Sequence, residues 1–101
     1  QPAATLVEAT PAVAAAPAPY YLRLELVDKP GAMAKVTSAL GDSGVSIDRM
    51  RQYGQDENAD VAPVLIVTDP APRASLDAAI DAMQSSGVLV SDPVAIRIEK
   101  V

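Results

Sequence analysis

The sequence contains no cysteine and no histidine. Their absence excludes disulfides, thiol nucleophiles, the common zinc ligand sets and imidazole acid–base chemistry. A chain without cysteine also fits a cytoplasmic setting. Phenylalanine and tryptophan are missing too, and three tyrosines make up the whole aromatic content. With so little surface for stacking bases, no basic run and a formal net charge of −5, the composition argues against a nucleic-acid partner. No apolar run is long enough to span a membrane. What the chain does have is length for one small domain, 101 residues, and a core of Leu, Ile, Val, Met and Ala. Such a core is thin, and a thin core gains stability by association.

Residues 1–19 are rich in Ala and Pro, and Pro2, Pro11, Pro17 and Pro19 interrupt any regular element. They read as a semi-extended linker leading in from a missing upstream region, with room for a short strand or helical turn around Thr5 to Glu8. No basic segment precedes an apolar core, so a signal peptide fits poorly. A first residue of Gln rather than Met reads as part of a longer or processed polypeptide.

From Tyr20 the hydrophobic period sets the elements. Leu22, Leu24 and Leu26 alternate with Tyr21, Arg23 and Glu25, a strand with one buried face. After Asp28-Lys29-Pro30-Gly31 the period changes to that of a helix, with Met33, Val36 and Leu40 on one side. That helix runs from Ala32 to about Ser43 and ends at Gly41 or Gly44. Asp28 is placed to cap it and Pro30 to sit in its first turn. Val45 to Tyr53 reads as a second strand. Met50 falls out of phase with Val45 and Ile47, which predicts a bulge near Asp48-Arg49. Gly54 to Asp60 is an acidic loop. Val61 to Thr68 is a third strand, and its continuous run Val64-Leu65-Ile66-Val67 predicts cover on both faces. A second helix spans about Pro72 to Ser85, with Gly87 just past its end. Val88 to Val90 reads as a short strand or as packing below the sheet, and Val94 to Val101 as the last strand.

The order βαββαβ predicts an α+β, ferredoxin-like sandwich: a four-stranded antiparallel sheet in the order 4-1-3-2 with two helices on one face. The first and last strands are then neighbours. Pairing Leu24 with Ile98 would set Arg23 opposite Glu99 and Glu25 opposite Arg97 on the outer face.

No catalytic constellation emerges. Serines lack a histidine partner, Asp77 and Asp81 read as a solvated helix face, and Asp56 to Asp60 lack the spacing of a calcium loop. Binding remains. A helix N-terminus at Gly31-Ala32 offers free N–H groups and a partial positive charge to a carboxylate, and Asp28 can hold an ammonium group. The plainer alternative is a well-made loop-to-helix turn. In this topology the start of strand two, Val45 to Asp48, lies at the opposite end of the sheet from the Asp28 loop of the same chain. Strand two is also an edge that invites pairing, so a neighbouring chain would have to bring it to this loop.

The order Asp28-x-Pro30-Gly31, helix, Gly44-x-Ser46-Ile47 resembles an ACT domain, a small ligand-sensing module of amino-acid metabolism. Tyr20-Tyr21-Leu22-Arg23-Leu24, Gln52, Ala62-Pro63-Val64-Leu65-Ile66-Val67-Thr68 and Pro93-Val94-Ala95-Ile96-Arg97-Ile98-Glu99 extend the likeness to the C-terminal region of the homoserine dehydrogenase family. The resemblance covers residues 20–101, read as the ACT domain. It implies a parent enzyme that interconverts homoserine and aspartate semialdehyde with NAD(P), whose catalytic domain lies upstream. This stretch would itself be no enzyme and hold no cofactor. The resemblance implies a homodimer through the ACT sheet or helices and feedback by threonine. Carried over by motif, Asp28, Gly31 and Ala32 contact the effector, and Ile47, Asp48 and Gln52 approach from strand two. Two features depart from the family pattern: Asp69 stands where many relatives have His, and the Gln55 to Asp60 loop is enlarged and acidic. Two other readings stay open: an oligomerisation scaffold without effector, and an ACT domain of another amino-acid-metabolism protein.

Overall fold

The computed structural model describes residues 16–54 and 60–99. The elements are β1 (Tyr20–Val27), α1 (Ala32–Asp42), β2 (Ile47–Gln52), β3 (Val61–Thr68), α2 (Arg73–Ser86) and β4 (Val94–Arg97). The sheet order is β2-β3-β1-β4 with every neighbouring pair antiparallel, the ferredoxin-like arrangement expected from the sequence. The readings at Thr5–Glu8, in the middle of the acidic loop and at the last two residues lie outside the described residues.

The core follows the period of each element. Leu22, Leu24 and Leu26 of β1 and Val64 and Ile66 of β3 are buried on one face of the sheet. Val36 and Leu40 of α1 and Leu76, Ala79 and Met83 of α2 close over them. Thr68 is the one buried polar side chain among the described residues, and its Oγ1 accepts the backbone N–H of Tyr20 at 3.0 Å. That bond satisfies a donor that the β1–β3 ladder, which begins at Tyr21, leaves free. Arg73 lies over the Tyr20 ring, 5.5 Å from its centroid, and hydrogen-bonds Asp77 at 2.9 Å. The Asp77 bond is the main reason the Arg73 guanidinium is held above its ordinary pKa, with burial opposing it. Among the described residues no helix is long and apolar enough to cross a membrane.

Helix α1 ends where Gly44 is, in a double-bonded termination. The Val45 N–H reaches the Leu40 carbonyl at 2.8 Å and the Gly44 N–H reaches that of Gly41 at 3.0 Å, with Gly44 at φ 83°. This is a Schellman motif, and buried Val45 beside buried Leu40 supplies its hydrophobic contact. The expected bulge in β2 is present: the pairing with β3 shifts between Ile47 and Arg49. Strand β2 begins at Ile47, two residues later than the pattern suggested.

Three expectations are corrected. The first is the β1–β4 register. Leu22 pairs with Ala95 and Arg23 with Val94, not Leu24 with Ile98. The far half of β1 is already engaged: Val27 N–H bonds to the Val88 carbonyl at 2.8 Å, and Val90 N–H to that of Glu25 at 2.9 Å, around a bridge between Leu26 and Leu89. Only Tyr20 to Arg23 remain for β4, which is four residues long. The slip is odd in number, so the faces exchange. Val94 and Ile96 point outward, and the predicted pairs Arg23–Glu99 and Glu25–Arg97 do not form. Arg97 instead bridges Glu99 at 2.8 Å, and Glu25 accepts the Ser91 hydroxyl at 2.6 Å. The second correction is β3, whose Leu65 and Val67 are half-exposed on the outer face rather than covered. The third concerns the start of α1 and belongs to the site.

Within the stretch read as linker, Ala18 is buried and pairs with Ala71, exchanging backbone hydrogen bonds of 3.1 and 2.9 Å. The packed unit therefore includes residues just ahead of Tyr20.

Candidate functional site

Strand β1 hands over to α1 through Asp28-Lys29-Pro30-Gly31. The Ala32 N–H bonds to the Lys29 carbonyl at 3.2 Å, and Gly31 sits at φ 86°, ψ −10°. These are the features of a type II β-turn with Pro at its second position and Gly at its third. Pro30 thus precedes the helix rather than opening it. Gly31 is the N-cap residue, and no side chain caps α1. Asp28 was expected to cap it, but lies too early in the turn. It is exposed, and its backbone N–H bonds to the Asp60 carbonyl at 3.0 Å. The physical reason is that Pro-Gly fixes a tight turn, which places glycine where the cap would be.

The first intrahelical bond runs from the Lys35 N–H to the Gly31 carbonyl at 3.1 Å. Ahead of it, the Met33 and Ala34 N–H groups meet no backbone acceptor among the described residues. They stand at the positive end of the helix dipole. A cleft of about 240 Å³ opens beside this turn. Lys29, Gly31, Ala32 and Lys35 form one wall, and Ser86, Gly87 and Val88, at the end of α2, form the other. The cleft joins the start of one helix to the end of the other, with two lysines alongside. Its chemistry suits a small anionic or zwitterionic group.

Of the six residues assigned from the sequence, Gly31 and Ala32 line this cleft, while Asp28 stands at the start of the turn, exposed and outside the cleft lining. Gln52 sits in the row Gln52–Val64–Leu24, in the half of the sheet nearer the turn. Ile47 and Asp48 lie at the other end, where Ile47 pairs with Thr68 beside Tyr20. That end is some seven strand residues from Val27, or roughly 23 Å. Asp48 and Gln52 are exposed on the edge strand, Asp48 within 3.6 Å of Arg49. One chain therefore brings only part of the expected set to the turn. Sequence reasoning missed Lys35, Ser86 and Gly87. Lys35 one turn into α1 was the available signal, since a second cation near the helix start favours an anion. The other wall comes from an element distant in sequence.

Among the described residues no cluster of acidic side chains is placed to hold a metal ion, and no buried polar side-chain atom lacks a partner.

Comparison with known proteins matches this geometry to one family. A family model described as the ACT domain matches residues 20–84, a span that holds β1 to β3, α1 and most of α2. The homoserine dehydrogenase of Methylobacillus glycogenes is 39% identical over 82 residues, 81% of this chain and 20% of that protein. That of Pseudomonas aeruginosa is 29% identical over 82 residues, 81% of this chain and 19% of that protein. The chain thus spans about a fifth of the length of these relatives. Among solved structures, a homoserine dehydrogenase from Thiobacillus denitrificans superimposes with a TM-score of 0.72 at 29% identity, covering 84% of this chain and 18% of that one. The ACT domain of a GTP pyrophosphokinase from Chlorobium tepidum gives 0.60 at 12% identity, covering 81% and 99%, a likeness of fold alone. The order of elements, the Pro-Gly turn into α1 and the match across residues 20–84 agree: the chain belongs to the ACT domain family.

Proposed function

We propose that this chain is the regulatory amino-acid-binding module of a cytoplasmic homoserine dehydrogenase, that threonine is its effector, and that it works as a homodimer. The observation that carries this reading is the 39% identity to a homoserine dehydrogenase across 82 residues, which include the Pro30-Gly31 turn. Asp28, Gly31 and Ala32 stand at the start of α1, where a carboxylate finds the Met33 and Ala34 N–H groups, the Ala32 N–H being held by the Lys29 carbonyl, and a favourable dipole. A second copy, joined along the exposed β2 edge, brings its Ile47, Asp48 and Gln52 to the same ligand. Its β2 then supplies the Ile47 and Asp48 that one chain leaves far away. Effector binding favours one arrangement of the pair and so biases the distant active site.

The NAD(P) of such an enzyme belongs to the upstream part. The glycines of this chain stand at positions 31, 41, 44, 54 and 87, without the Gly-rich fingerprint that receives a dinucleotide.

Titration calorimetry with threonine, serine, isoleucine and methionine tests the reading. Threonine is expected to give heat, and sedimentation to give a dimer. If none of the four gives heat or raises the melting temperature at about millimolar concentration, the effector role fails, since a ligand well above its Kd must stabilise the state it binds. The module would then serve as a scaffold for association.

A further inference from the structure

The outer face of the sheet, opposite the helices, is apolar at its centre. Tyr21, Leu65 and Val67 lie there half-exposed and line a shallow cleft of about 200 Å³. Strand β4 adds to it. Its register turns Val94 and Ile96 outward at 44% and 52% exposure, while the smaller Ala95 faces in. A slip of one residue would have buried both larger side chains. The fold thus places apolar area on the outer surface that an adjacent register would have hidden.

Charge on this face runs against that of the chain. Arg51, Leu65, Arg23 and Val94 form one row across the sheet, and Arg49, Val67, Tyr21 and Ile96 the next. All three arginines are exposed, in a chain of net charge −5. Glu25, one row further along, is engaged by the Ser91 hydroxyl. The face is an apolar centre bordered by three arginines, with Asp48 3.6 Å from Arg49 and Glu25 at its margin as the nearby carboxylates.

We propose that this face docks the rest of the polypeptide that carries the chain, through a surface whose apolar centre is flanked by carboxylates. This rests on the reading that the chain is one module of a larger protein, which its match to about a fifth of each homoserine dehydrogenase supports. The residues just ahead of Tyr20 run along the same end of the sheet, where the Ile98 N–H bonds to the Pro19 carbonyl at 2.9 Å. Residues 16–19 therefore lie at the end of the sheet where Tyr21 pairs with Ile96. A second copy stacked face to face is disfavoured, because the three arginines of each copy would share one desolvated interface.

The chain has no native cysteine, so Leu65→Cys places one thiol in this module, at a half-exposed position outside the core. Its alkylation is followed at peptide level in the intact polypeptide and in the 101-residue chain alone, with Ala78→Cys on the exposed side of α2 as control. The thiol of Leu65→Cys is expected to react about tenfold more slowly in the intact polypeptide, an opening cost of one decade in equilibrium. The control thiol is expected to react alike in both. Adding R23E and R51E is expected to return the rate at position 65 to that of the chain alone. Equal rates at position 65 in the two proteins, or protection that survives both charge reversals, would overturn the proposal. So would slow, concentration-dependent labelling of the chain alone, which would mean that a second copy covers the face. Dehydrogenase activity and threonine calorimetry on the same intact preparation report separately on the enzymatic reading. Protection without either would leave the docking surface standing and remove that reading.

Discussion

Two single residues hold more of this structure than their size suggests. Thr68 closes the end of the β1–β3 ladder by accepting the Tyr20 N–H, and both residues are buried. Thr68→Val keeps the shape and orphans a buried donor, so it is expected to cost about 1–3 kcal/mol, measured by urea unfolding. Thr68→Ser, which keeps the hydroxyl, is expected to cost less. Gly31 matters for its backbone. A Cβ built on it meets nothing within 4 Å, but its φ of +86° is one that side chains resist. Gly31→Val is expected to cost about 1–2 kcal/mol in stability through strain alone. It is also expected to abolish threonine heat, because the turn that presents the α1 amides would shift. Unchanged threonine affinity in a folded Gly31→Val protein would remove the turn from the site. The importance of Gly31 was legible in the sequence, since Pro-Gly before a helical period is a strong turn signal. The role of Thr68 was not, because it depends on a partner 48 residues away.

At the level of elements, the local signals were sound and the long-range pairing was not. Helix α1 stops at Gly44 because the αL position is occupied by the residue best suited to it, with two carbonyls satisfied behind it. Gly44→Ala is expected to destabilise by about 1–2 kcal/mol, read as a lower denaturation midpoint with an unchanged slope. The bulge at Asp48 could be read from a break in phase between Ile47 and Met50. The β4 register could not. Alternation in Val94-Ala95-Ile96-Arg97 says that faces alternate, not which face is which. The apparent charge pairs with Arg23 and Glu25 favoured the wrong choice. What decided it was residues 88–90, which occupy the far half of β1 first. The site shows the same division. The cleft wall on α1 was visible in Asp28 to Gly31, whereas the wall on α2 exists only once the two helices pack.

For the whole molecule, composition sets the conditions in which it responds. Without histidine or cysteine, no side chain has an ordinary titration range near neutrality. Threonine affinity is therefore expected to stay flat between about pH 6 and 7.5. A calorimetric titration series across that interval checks this; a steep change would mean that a carboxylate at the site titrates far above its ordinary range. The two margins of the sheet, finally, are unequal. Strand β4 is short, follows Pro93 and shares its side of β1 with residues 88–90, whereas β2 runs six residues along an exposed edge. Growth by edge pairing into a fibre needs two usable margins per subunit, one to receive and one to extend. A subunit with a single usable margin can pair only like with like, and that union closes on itself at two. The shortness of β4 beside the longer β2 thus weighs against runaway polymerisation in a protein whose proposed work requires an edge left free.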